Sequence, residues 1–221
     1  MASTCPICET RRAKRHCPGL SASRWAEKGK GEMICPPCCG EQRENTIDCP
    51  SSCTYLIAAR RYEAEHKKPL EEFPFPDVRL EDDFLAEQQG FIGTLVAAIV
   101  NFADKQSRVS DSELLLALER LARTHQTLAS GLYYEEPLDN IRAREVYTGL
   151  QAAMETYQRE HQKKTGTSLR PGDILKVLVF LVRLGKVQTN GRLLSRAYLD
   201  FLRAQLPAQP RQAPRLILPG A

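Results

Sequence analysis

Apolar side chains return every three or four residues along most of residues 79–206, whereas residues 1–53 show no sustained period. The first pattern marks amphipathic helices, whose faces repeat every 3.6 residues. Leu80, Phe84, Leu85, Phe91, Ile92, Leu95, Val96, Ile99, Val100 and Ala103 outline a first helix. Ser110 and Glu113 have the spacing of a capping box ahead of Leu114, Leu115, Leu118, Leu121 and Leu128, and Gly131 closes this second helix. Pro137 suits the first turn of a third, which carries Ile141, Val146, Leu150, Ala153 and Tyr157 to a stop at Gly166. Ser168 precedes a fourth that starts near Pro171 and carries Ile174, Leu175, Leu178, Val179, Leu181 and Val182; Gly185 weakens its end. Asn190-Gly191 reads as a turn, and Leu193, Leu194, Ala197, Tyr198, Phe201 and Leu202 as a fifth helix. No segment alternates as a strand would. Residues 79–206 are thus expected to be an antiparallel helical bundle.

The earlier region reads differently. Prolines follow Cys5, Cys17, Cys35 and Cys49, and Gly19, Gly29, Gly31 and Gly40 add further turn signals. Ile7, Leu20, Trp25, Met33 and Ile34 are most of its apolar content, too little to offset chain entropy by burial alone. From Asp48 a helical pattern begins: Asp48, Ser51 or Ser52 can cap a helix that runs to about Lys67 through Tyr55, Leu56, Ala58, Ala59 and Tyr62. Three prolines, at 69, 74 and 76, bar a helix in the segment that follows. The organisation expected is a module over residues 1–66, a proline-rich linker over 67–78, the bundle over 79–206 and a disordered tail over 207–221.

Composition narrows the class. The apolar fraction is 42% and the charged fraction 26%, ordinary values for a globular protein. The longest apolar stretch, Ile174 to Val182, is short and contains Lys176, so no membrane span is expected. The N-terminus lacks the apolar core of a signal peptide, which points to the cytosol, where thiols stay reduced. The formal charge of +4 is confined to the front: residues 1–68 hold 12 Lys/Arg against 8 Asp/Glu, and residues 69–221 hold 19 against 19.

All eight cysteines lie in the first 53 residues: Cys5, Cys8, Cys17, Cys35, Cys38, Cys39, Cys49 and Cys53. In a reducing compartment such a set is read as metal ligands rather than disulfides. Cys5-Pro6-Ile7-Cys8 and Cys35-Pro36-Pro37-Cys38 are knuckles, a spacing that brings two sulfurs to one ion. Cys49 and Cys53 stand at i and i+4 on the first turn of the expected helix. With Cys17, Cys39 and His16 there are nine candidates for eight positions, which suits two zinc ions. An iron–sulfur cluster is the alternative, because all-cysteine ligation also suits iron. Two sites of four thiolates would contribute −4 and cancel the formal excess of positive charge. The fold class expected is therefore mainly α, a small metal-stapled module plus about five bundled helices.

The ligand order over residues 5–53 resembles the cross-brace zinc modules of the B-box, MYND and HIT-finger kind. In those, the first and third pairs hold one zinc and the second and fourth another. The resemblance implies Cys5, Cys8, Cys35 and Cys38 as one site, and Cys17, Cys49 and Cys53 as members of a second. Where the pattern would place a partner for Cys17, this chain has Pro18 and Gly19. Cys39 or His16 must complete that site. Cys39 is favoured, since adjacent side chains point apart and can serve different ions. The stretch from Ile34 to Leu56 is also similar to a cysteine-rich motif of bacterial proteins of unknown function, a likeness that implies no activity.

Closed four-ligand sites leave no open position for water, so a structural metal and a binding role are expected rather than catalysis. His66, His125 and His161 fall on polar helix faces and are expected to be solvated. No phosphate-binding glycine loop, nucleophile elbow or paired Glu-x-x-His motif is present, and no small-molecule substrate is inferred. A protein partner or self-association leads. Nucleic-acid binding through Arg11, Arg12, Lys14 and Arg15 is second, with Trp25 either stacking on a base or packing over a metal site. A thiol redox or metal sensor using Cys38-Cys39 is third.

Overall fold

The computed structural model describes residues 4–25, 32–67, 69–70, 72–106, 109–132 and 134–207. The expected disordered tail lies, from residue 208 on, outside the described residues, as do Tyr133 and residues 26–31 of the loop around Trp25. The chain is mainly α: among the described residues are seven helices and one two-stranded sheet. No helix there is long and apolar enough to cross a membrane.

Five helices form the bundle: α3 (Phe84–Lys105), α4 (Asp111–Ala129), α5 (Ile141–Thr165), α6 (Pro171–Gln188) and α7 (Ala197–Gln205). The expected capping box starts α4: the Glu113 N–H donates to Ser110 Oγ at 3.4 Å, and the Ser110 N–H to Glu113 Oε2 at 2.9 Å. Gly166 ends α5 with φ 74°, a left-handed conformation that costs glycine little. Helix α4 packs most extensively on α6, and α5 spans both α3 and α4. Their shared core includes Leu95, Leu118, Leu121, Leu150, Leu178 and Tyr198, all buried.

Several expectations change. Helix α5 starts at Ile141, not in a turn containing Pro137, because Asn140 accepts the Ala143 N–H at 2.9 Å and so fixes the cap. Ile141 and Leu85 project into solvent. Gly185 does not weaken an end; α6 continues to Gln188. A Cβ at Gly185 would come within 2.6 Å of Leu115 and 2.7 Å of the Tyr198 ring, so the glycine permits close helix packing. Helix α7 begins at Ala197, later than Leu193. Its start is set by Asp111, a fully buried carboxylate that accepts the Tyr198 and Leu199 N–H groups at 3.1 Å each and the Ser195 hydroxyl at 2.8 Å. His125 is half-buried rather than solvated, and its Nδ1 has no hydrogen-bond partner among the described residues.

The cysteine-rich module contains three short elements the sequence did not announce. Strands β1 (Arg15–His16) and β2 (Met33–Ile34) pair antiparallel, Arg15 opposite Ile34 and His16 opposite Met33. They are too short for alternation to register. Helix α1 (Pro36–Gln42) is a seven-residue segment starting at a proline, which lacks only an N–H that would be unpaired there anyway. Helix α2 (Thr54–Glu65) begins later than expected, with Cys53 as its N-cap residue and Cys49 outside it. Two of the candidate caps are engaged elsewhere: Asp48 with Arg196, and Ser51 with Asp200 at 2.6 Å. The proline-rich segment is tied down. Arg183 donates to the carbonyls of Pro74, Phe75 and Val78, and Phe75 and Val78 pack on the bundle core.

Candidate metal centre

Cys5 and Cys8 belong to a tight loop closed by Cys5 N–H donating to Arg11 O and Glu9 N–H to Cys5 O, each at 2.8 Å. Cys35 directly precedes α1, and Cys38 lies one turn into it. The β1–β2 ladder brings the two knuckles face to face; Lys14 N–H donates to Ile34 O at 2.9 Å beside it. The outcome is one group of four sulfurs, Cys5, Cys8, Cys35 and Cys38, all within 4.8 Å of one another. Cys8 Sγ and Cys35 Sγ are 3.9 Å apart. A tetrahedron with metal–sulfur bonds of about 2.3 Å has edges of about 3.8 Å. The group thus fits one tetrahedral ion, and its soft thiolate donors suit zinc or a single iron. A multinuclear cluster distributes its cysteines over several metal atoms and needs a wider spread. Cys5, Cys35 and Cys38 are buried and Cys8 half-buried, so the second coordination layer is protein rather than water.

The local electrostatics favour thiolate at one edge. The Thr10 hydroxyl and the backbone N–H groups of Thr10 and Arg11 bring the Cys8 thiol down to about 5. Burial raises Cys5, yet backbone N–H groups at Cys35, Cys8 and Ile7 outweigh it and leave that thiol below its ordinary value. Cys38 is pushed up, first by burial and then by hydrogen bonding to Cys35, Cys8 and Cys5. Four thiolates cannot share so small a space without a cation; a bound divalent ion removes the conflict and releases the protons. Arg11 supplies part of the compensation: hydrogen bonding to Cys35 and the charge of Cys8 hold its guanidinium above the usual range.

The other four cysteines are not drawn into a group of that tightness. They are nevertheless neighbours. Burial pushes the Cys17 thiol up to about 11, with Cys49, Cys39 and Cys53 adding to the shift. Burial likewise takes Cys49 up to about 11, with Cys53 and Cys39 contributing. Gly19, at the position where a second ligand would follow Cys17, explains the approach: a Cβ there would overlap the Asp48 carbonyl and lie 2.9 Å from Ile47 Cγ2. Glycine therefore lets the Cys17 turn press against the chain leading to Cys49. Cys38 and Cys39 are adjacent on α1, yet Cys38 alone joins the tight group. His16 turns away from sulfur; its Nε2 lies 2.6 Å from Glu32 Oε2 in an exposed pair.

The basic loop is dispersed. Arg11 leans on the sulfur group, and Arg15 covers the Tyr55 ring at 4.6 Å, while Arg12 and Lys14 are exposed. Trp25 is buried with Leu20, Ile34, Ile47, Leu56 and the cysteines, the packing alternative for this side chain.

Sequence reasoning missed what joins this module to the bundle. Glu44 is 1% exposed and holds φ 53°, an uncommon conformation for a residue with a Cβ. Its carboxylate accepts from Arg60 at 2.6 Å and Asn190 at 2.8 Å, and its carbonyl from the Leu194 N–H at 2.7 Å. Arg60 also reaches Asp200 at 2.6 Å; Arg192 donates to the Gly40 carbonyl at 3.0 Å, and Arg196 pairs with Asp48. This is why residues 190–196 do not extend α7: their polar groups serve the module. Nothing in the local sequence around a lone Glu44 signals such a role.

No protein-family model, curated protein or solved structure matches this chain.

Proposed function

We propose that this chain is a zinc-stapled interaction protein, in which structural metal folds the N-terminal module and the assembled molecule engages a protein partner. The observation that supports it most is the closed group of Cys5, Cys8, Cys35 and Cys38 within 4.8 Å. Four protein donors complete a tetrahedron and leave no vacancy at which water could be activated. The group unites the first and third pairs of the chain, the sharing used by cross-brace modules. On the same reading Cys17, Cys39, Cys49 and Cys53 close on a second zinc once it is bound.

Elemental analysis of untagged protein, purified without added metal, tests this. Two zinc ions per chain are expected, with one lost in the Cys5→Ser/Cys38→Ser protein and one in the Cys17→Ser/Cys49→Ser protein. Iron with visible absorbance would overturn zinc. A single zinc that survives Cys17→Ser/Cys49→Ser would overturn the second site and leave four thiols to the redox reading. A co-purifying protein, with retention on a polyanion that depends little on salt, is expected in place of nucleic-acid binding.

A further inference from the structure

An apolar groove of about 570 Å³ opens between α3, α6 and α7. Leu85, Ile92, Val96, Phe180, Leu184 and Phe201 form its walls. The volume lies in the range of sites that enclose a ligand. Leu85 stands 54% exposed at its edge, a large apolar side chain among the exposed residues of the first turns of α3. Gly93 also lines it, inside α3, with open space where a Cβ would be. A glycine within a helix is less favourable than alanine. Packing among the described residues does not require it, so a vacant backbone surface faces the groove.

The occupant is suggested by where the chain goes next. Leu206, the residue after α7, itself lines the groove, and only Pro207 follows among the described residues. Beyond it the sequence holds one apolar triplet, Leu216-Ile217-Leu218, and its only charges are Arg211 and Arg215. The groove residues of α3 run from Leu85 to Val96, about 16 Å of helix. Eight residues lie between positions 207 and 216, enough to reach about 30 Å. Near one end Arg203 pairs with Asp104 of α3 at 2.6 Å; around the start of α3 stand the exposed carboxylates Asp82, Asp83 and Glu87. A basic, apolar segment entering from Leu206 meets matching surface and matching charge.

We infer that the groove is an intramolecular docking site for Leu216–Leu218 of this same chain, with Arg211 and Arg215 facing the acidic start of α3. The inference is independent of the metal reading. A photo-cross-linking residue, p-benzoylphenylalanine, replacing Ile217 in the full chain tests it. The expected result is a cross-link within one molecule to peptides from 85–96 or 201–206, lost on Leu85→Asp, an exposed substitution that leaves the core intact. Cross-links to a second copy, to another protein or elsewhere on the chain would overturn it, as would none at all. Hydrogen exchange gives a second measurement. In the Leu216→Asp/Ile217→Asp/Leu218→Asp protein, amides of α3 beside the groove should exchange roughly tenfold faster, the equivalent of one buried aliphatic side chain. Unchanged exchange there would also sink the idea.

Discussion

The cysteine module and the helical bundle meet across a polar seam but are stabilised by different physics. In the bundle, 29 buried residues form one apolar core. Among the described residues of the module the apolar cluster is Leu20, Trp25, Ile34, Ile47 and Leu56 together with six cysteines. A core that small does little to offset the entropy of ordering some fifty residues, and on the proposed reading coordinate bonds supply the remainder. The bundle, by contrast, is held by burial, which scales with the apolar area it removes from water. With the proposed metal in place, one chain would delegate stability to chemistry at one end and to packing at the other.

Metal removal breaks the comparison most sharply. Structural zinc contributes about 10–16 kcal/mol in small finger peptides at neutral pH. Chelation, or Cys5→Ser with Cys38→Ser, is expected to abolish exchange protection across residues 5–53 while far-ultraviolet helicity from α3–α7 persists. Collapse of both regions together would show that the bundle depends on the module. The next largest effect belongs to the seam. Glu44→Ala leaves Arg60 buried without one carboxylate partner, although Asp200 remains. Removing one member of a buried ion pair costs about 3–5 kcal/mol, and the retained Asp200 contact should place this case at the lower end. Chemical unfolding is expected to split into two transitions as the regions lose their coupling, with zinc content unchanged. A third substitution sharpens the packing side alone. Gly185→Ala drives a methyl into Leu115 and Tyr198, an overpacking that costs about 1–3 kcal/mol. Melting of the bundle should fall while the module's metal stoichiometry stays constant.

How much of this was legible depended on how far each signal reaches along the chain. Helices α3 to α6 announced themselves because long amphipathic segments repeat their apolar face many times, and the Ser110–Glu113 box needed only three residues of context. The two knuckles were legible because ligand spacing is local, and the meeting of Cys5 and Cys8 with Cys35 and Cys38 was anticipated from ligand order. What was not legible is set by partners distant in sequence. The two-residue strands are defined only by each other. The late start of α7 comes from Asp111, more than 80 residues earlier, and from the claim of Glu44 on Leu194. The role of Gly185 depends on a tyrosine of another helix.

The smallest effect separates the regions by pH. Burial holds the His125 imidazole below its ordinary value of 6.5. A histidine with a depressed folded pKa is neutral in the native state and gains its proton more readily when unfolded. Above 6.5 both states are neutral and the residue leaves stability unchanged. As pH falls through 6.5 the unfolded chain binds a proton that the folded chain resists, and bundle stability declines until the folded pKa is passed. Acid would also protonate the thiolates and release the proposed metal from the module, so the total loss would mix two causes. His125→Phe isolates one of them. Monitored by bundle helicity in urea between pH 7 and 5, the variant should show a shallower decline than the parent, while zinc release follows the same curve in both. An unaltered slope would mean that the unpartnered Nδ1 finds water or a proton acceptor in the folded protein without cost.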